Sequence, residues 1–292
     1  MSVLDQIVVP PLPARRRLLW PWLLLGGLVL ALYAPVLARL VNQWWTDPNY
    51  GHGFLVPLLS GFVLWRSRSE WEGLPLRPRW SGAVLMLAAL ALLAAGTLAA
   101  ELFLSRISLL VLLAGMVVFF AGWRFLRAWS FPFGFLFFMI PLPAIIYYQI
   151  TFPLQLIASR VAGLGLDLLQ VPALREGNLI VLPNYTLAVA EACSGIRSLL
   201  SLLALAVAYG YLAESRVWKR IALAVAMVPI AIFTNALRIV GTGVMTYAFG
   251  PRWAEGFFHA FSGWLMFLVA FALMLAVHRM LRFRRRPWEG TA

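Results

Sequence analysis

Ser81 to Ala100 reads SGAVLMLAALALLAAGTLAA, twenty residues without a charge, about the number of helical residues that crosses the hydrocarbon core of a bilayer. A turn containing Glu101 and Arg106 follows. A second apolar run, ISLLVLLAGMVVFFA, then fills Ile107 to Ala121. Two such runs separated by a short turn predict an antiparallel pair of membrane helices. Further runs at about 18–41, 54–65, 129–150, 193–212, 221–248 and 260–278 bring the expectation to eight spans.

Composition agrees with that reading. The 292 residues are 62% hydrophobic and 12% charged, whereas a soluble domain is about 25% charged. The net charge of +13 would suit nucleic acid if it formed one patch. Instead the basic residues fall in short clusters between apolar runs, at 15–17, 66–79, 124–127, 216–220 and 279–286. Lys and Arg flanking spans are retained on the cytoplasmic side. Eight crossings from a cytoplasmic N-terminus put all five clusters inside. The basic character therefore reports topology and a bilayer partner, not nucleic acid.

The expected fold class is an all-α polytopic membrane protein of about eight transmembrane helices with a small extracytoplasmic β-hairpin. A cytoplasmic tail, 1–17, precedes a single membrane domain, 18–280, and a basic cytoplasmic tail, 281–292, follows. The first run is read as a retained span rather than a signal peptide, because no small-residue cleavage site follows it. Pro132, Pro141 and Pro143 predict a kink in the fifth span. Residues 151–192 form an outer segment, with an interfacial helix over about 151–170. Two β-prone runs then flank Pro183-Asn184, the signature of a hairpin.

This topology carries chemically distinct groups to one face of the membrane. Cys193 starts the sixth span, Asn235 and Arg238 lie towards the outer end of the seventh, and His259 opens the eighth. Each has a plain alternative. A lone membrane cysteine is usually small apolar filler, a span-end arginine can snorkel, and a span-end histidine often just sits at the interface. Taken together they meet the needs of acyl transfer. Cys193, where a helix start favours the thiolate, would be the nucleophile. His259 would move a proton, and Arg238 would stabilise an oxyanion with a permanent charge. Asn235, three residues before Arg238, shares its helix face. Glu191 is the acid closest to Cys193 in sequence. The single cysteine leaves no intramolecular disulfide and no CxxC redox or zinc motif; neither a metal nor a cofactor is expected.

The segments Glu191-Ala192-Cys193-Ser194-Gly195-Ile196-Arg197-Ser198 and Asn235-Ala236-Leu237-Arg238, with His259 at the last span, resemble the exosortase/archaeosortase family. Tyr50-Gly51-His52-Gly53-Phe54-Leu55-Val56-Pro57 is similar to that family's first outer loop and second span. The resemblance implies a membrane cysteine peptidase-transpeptidase in a prokaryotic plasma (inner) membrane, with its active site facing the outside. Its partners would be exported proteins ending in a Pro-Glu-Pro-like motif, a membrane span and a basic tail, in systems that also make exopolysaccharide. It maps the catalytic set onto Cys193, Arg238 and His259. Asn235, Glu191, Ser194 and Arg197 support them, and Arg197 rivals Arg238 for the oxyanion role. His52 and Tyr50 are expected to contact substrate. The competing function is a transport or assembly subunit of a polysaccharide export system. A conduction path would spread polar residues through the membrane depth, and here they crowd at one face.

Reporter fusions after residues 70, 125, 217 and 285 should be cytoplasmic, and fusions near 48, 180 and 254 should be outside. A cytoplasmic reporter at 180 would put Cys193 in the wrong compartment and remove the link to exported proteins.

Overall fold

The computed structural model describes residues 20–183, 185–188, 194–254 and 256–283; for 194–198, 253–254, 256–260 and 283 only the backbone is described. Helix α1 covers Trp20–Thr46, past the expected end of the first run at about 41. A 3-10 turn, Gly51–Phe54, leads into α2, Leu55–Arg66, and the short α3, Arg68–Trp71. Helices α4, Ser81–Leu98, and α5, Leu102–Phe120, form the predicted pair. Two short helices follow, α6 (Trp123–Ala128) and α7 (Ser130–Phe135). A long α8 covers Ala144–Leu168. Strands β1 (Leu174–Glu176), β2 (Leu179–Leu182) and β3 (Tyr185–Ala188) precede α9 (Ser194–Ala213), α10 (Val217–Phe249) and α11 (Gly256–Phe283).

Five described helices are long and apolar enough to cross a membrane: α1, α4, α5, α10 and α11. A sixth span is counted if the bent pair Ser130–Met139 and Ala144–Leu168 is one crossing. Helix length thus supports five or six spans and does not confirm the expected eight. With 12 residues, α2 rises about 18 Å, less than the roughly 30 Å hydrocarbon core.

The fifth span departs from expectation. It is not a kinked helix over 129–150 but two arms bent by 86°. Ile140 is extended, with φ −93° and ψ 116°, and Pro143 is extended at φ −54°, ψ 138°. Pro141 and Pro143 have no N–H to donate, so the helical ladder stops between them. The second arm, α8, includes the predicted interfacial stretch but begins earlier, at Ala144. The expected hairpin is present as β2–β3, with Leu182 opposite Tyr185 and Leu179 opposite Ala188. A third strand, β1, pairs antiparallel to β2 and completes the order β1-β2-β3.

Arg106 also moves. Glu101 caps α5 by accepting from the Leu104 N–H at 2.8 Å through Oε2. The helix therefore starts at Leu102, and Arg106 lies inside it, 3% exposed, rather than in a turn. Helices α4 and α5 approach through glycine. A Cβ on Gly82 would lie 2.6 Å from the Gly115 carbonyl oxygen, the close approach that small residues permit between membrane helices.

Helix α10 is the central post. Its Ala236 and Ile239 pack with Ala158, Leu166 and Ile180 of α8 and the sheet. On another side Met227, Ile230 and Ala231 pack with Leu202 and Ala206 of α9 and Ala270 and Met274 of α11. One acid locks that three-helix unit. Glu214, in the α9–α10 link, accepts from Arg282 Nε at 3.0 Å, pairs with His278 Nε2 at 2.8 Å and lies 3.5 Å from Lys219 Nζ. His278 Nδ1 meets the Tyr209 hydroxyl at 2.7 Å, and Arg220 Nε donates to the Glu214 carbonyl at 2.7 Å.

The His278 hydrogen bond, aided by Arg282 and Lys219, holds the Glu214 carboxyl at about 2, against the opposing effect of burial. A carboxylate depressed by folding stabilises above its ordinary value of 4.5 and loses that contribution as pH falls towards 2. Glu214→Gln should lower the melting temperature in detergent at pH 7 by about 5 °C. It should also flatten the loss of stability between pH 4.5 and 2 seen in the unmodified protein. Equal melting curves for the two proteins would show that the cluster is energetically idle.

Candidate active site

The α10 surface that carries Asn235 and Arg238 is buried, at 0% and 3% exposure. The three-residue spacing sets both side chains on one face of the helix. An arginine at that depth costs several kcal/mol unless its donors are engaged. Arg238 Nε donates to Ser262 Oγ of α11 at 2.9 Å. Ser262 lies one turn after His259, so this bond holds Arg238 against the turn of α11 next to the His259 backbone. Thr234, 2% exposed, returns its hydroxyl to the Ile230 carbonyl at 2.9 Å and leaves this surface to Asn235 and Arg238.

Cys193 and Glu191 lie outside the described residues, as does the side chain of His259. Ser194 and Arg197 occupy the first turn of α9, where the backbone alone is described. In the second turn of that helix, Leu199 shares a core with Ile230 and Ala231 of α10. The start of α9 therefore packs near the turn of α10 that precedes Asn235. Three expected contributors, the start of α9, Arg238 and the His259 turn, belong to helices in one packed unit.

His52 and Tyr50 take a different place. Tyr50 is 6% exposed, and burial pushes its hydroxyl up to about 12, against a backbone hydrogen bond from Leu142. His52 Nε2 lies 3.1 Å from the Phe138 carbonyl, and Nδ1 lies 2.9 Å from Ser201 Oγ on α9. A carbonyl only accepts, so the neutral ring carries its proton on Nε2 and accepts from Ser201 at Nδ1. Both ring nitrogens are committed inside the fold. This arrangement fixes the 47–54 loop on the helix that follows Cys193. Trp44 fastens the same loop through Nε1, which donates to the Met139 carbonyl at 2.8 Å.

Sequence reasoning missed Ser262 and Ser201. The available signal was spacing: Ser262 follows His259 by three residues, and Ser201 lies on the helix that begins beside Cys193. Among the described residues no group of three His, Cys, Asp or Glu side chains could hold a metal ion.

The fold and the buried polar face of α10 define a polytopic, mainly helical membrane protein with a site where several helices meet. Residues 44–276 match the family model of the transmembrane exosortases, well over half of the chain, and the protein belongs to that family. No curated protein and no solved structure is matched by the chain.

Burial pushes the His52 imidazole below its usual value, against hydrogen bonds to the Phe138 and Asn49 backbone. A histidine depressed by folding contributes fully above its unfolded value of 6.5 and loses that contribution as pH falls. Hydrogen exchange of residues 47–54, corrected for intrinsic rate, should therefore quicken between pH 7 and 5. The His52→Gln variant should lack that dependence. The same acid response in the variant would assign it to another group.

Proposed function

We propose that this exosortase is a membrane-embedded cysteine peptidase-transpeptidase acting on exported proteins through an acyl-thioester on Cys193. The observation that supports this most is the buried Arg238, bonded to Ser262 beside the His259 turn. It sets a permanent cation next to the expected proton carrier and in the same helical unit as the start of α9. A purely structural arginine at this depth would be a costly choice.

The chemistry follows from those groups. The Cys193 thiolate attacks the carbonyl carbon of the scissile peptide bond. Arg238 stabilises the resulting oxyanion, with Asn235 orienting it from one turn away. The carbon–nitrogen bond breaks, and His259 gives a proton to the departing amine. The leaving fragment carries the substrate's membrane span and basic tail. An acceptor nucleophile then attacks the thioester, gives its proton to His259 and frees Cys193. Eight crossings with the basic clusters inside would set this chemistry at the outer face of a prokaryotic plasma membrane. A substrate with a span and a basic tail obeys the same inside-positive rule, which brings its scissile bond level with Cys193. Glu191 and Ser194 flank the nucleophile, and Arg197, one turn on, is the remaining candidate for the oxyanion role.

Cys193→Ala and Arg238→Ala should each abolish release of the substrate tail while protein accumulation in the membrane is unchanged. His259→Ala should slow release by about 10²–10⁴-fold. Lysine keeps the charge but loses the planar fork of donors. Arg238→Lys should therefore lose nearly all turnover, whereas Arg197→Lys retains a substantial fraction. The reverse ranking would move the oxyanion role to Arg197. Normal processing by Cys193→Ala would overturn covalent catalysis and favour a transport or assembly subunit.

A further inference from the structure

Arg106 is the second deeply buried arginine of the described residues, and the proposed chemistry does not use it. It stands on the second turn of α5, 3% exposed, in the helix pair α4–α5. Its Nε is buried without a hydrogen-bond partner among the described residues. The ion pairs among those residues all involve Glu214, far along the chain. The acid nearest to Arg106 in sequence, Glu101, is close enough to attract its charge but forms no ion pair with it and spends Oε2 on the α5 cap. A guanidinium withdrawn from water in this way calls for an anion.

A cavity receives it. Arg106 lines a space of about 250 Å³ between α1, α4 and α5, together with Arg39, Thr97, Leu32, Val36 and Leu93. Two cations and the hydroxyl residues Thr97 and Ser105 thus line an otherwise apolar chamber. Arg39 is exposed and Arg106 buried, so the charge runs from the mouth to the interior. Near the mouth, Leu32 and Leu102 are 46% and 39% exposed. They lie on helices that qualify as membrane spans, so the opening is on a surface that lipid covers.

Depth and wall chemistry together select the occupant. Arg106 sits four residues into α5, about 6 Å from its start, and Arg39 seven residues before the end of α1, about 10 Å. Those depths bracket the layer where phosphate and ester groups meet the acyl chains. A ligand must therefore carry an anion on an apolar body. A free anion would leave the Leu32, Val36 and Leu93 walls unfilled, and an acidic peptide would carry unsatisfied backbone amides into them.

We infer that Arg106 and Arg39 form a binding site for the phosphate of an anionic membrane lipid. The phosphate oxygens accept from both guanidinium groups, and the first methylenes of the acyl chains lie against Leu93 and Val36. The cavity is too small for a whole lipid, so the tails continue along the outer surface of α1 and α4.

The test uses the full chain purified in a neutral detergent and titrated with phosphatidylglycerol, with retained lipid counted by native mass spectrometry. Arg39→Gln, at an exposed position that leaves the core intact, should weaken retention about fivefold. Arg106→Gln should weaken it about tenfold or more. Phosphatidylcholine, whose phosphate carries its own cation, should be retained much less, and millimolar inorganic phosphate should not displace phosphatidylglycerol. If Arg106→Gln fails to give a monodisperse protein, the Arg39→Gln comparison decides alone. Equal retention by the unmodified protein and the soluble variants would overturn the site. Displacement by inorganic phosphate would overturn the lipid assignment in favour of a free anion. Displacement by a glutamate-containing peptide would overturn it in favour of a peptide carboxylate.

Discussion

Hydrocarbon offers the peptide group no hydrogen-bond partner, and most of this architecture answers to that constraint. Long helices satisfy their own backbones, so α4, α5 and α11 run nearly the length of their apolar sequence. Where the backbone must leave the helical ladder, other parts of the protein cover it. The break at 140–143 is met by Trp44, whose indole N–H takes the Met139 carbonyl. The three-stranded sheet packs its inward side chains, Ile180 and Leu187, against α8 and α10. Side-chain hydroxyls follow the same rule. Thr97 and Thr234 turn back to the carbonyls of Leu93 and Ile230 on their own helices.

Charges obey a harsher version of that constraint, and the chain solves it differently at each place. Glu214 gathers His278, Arg282 and Lys219 around one carboxylate. Arg238 donates from Nε to the Ser262 hydroxyl of the neighbouring helix.

The sequence was most legible where it allowed least choice. Twenty uncharged residues between charged clusters can do little but form a membrane helix, and α4, α9 and α10 fall close to their expected limits. Arg106 was misread because charges are assigned by default to loops; the Glu101 cap that extends α5 backwards is a local backbone contact. Strand β1 was invisible for another reason. Leu174, Arg175 and Glu176 are all exposed, so they carry no alternating pattern, and only pairing with β2 makes them a strand. At the site, the three-residue spacing revealed the shared face of Asn235 and Arg238. Ser262 was hidden because a serine in a membrane helix is too common to signal anything until its partner is known.

The Glu214 cluster sits at the opposite end of α9, α10 and α11 from Arg238 and the start of α9. Three rods pinned near one end behave as levers. Over a hydrocarbon core of about 30 Å, a tilt of about 5° at the pinned end moves the far tip by close to 3 Å. Misplacement of reacting groups by 1 Å can cost about 10²-fold in rate. The angular tolerance at the Arg238 end is therefore set by the stiffness of the Glu214 cluster. Bilayer thickness, lateral pressure or anything else that tilts these helices would be amplified into the geometry at the far end.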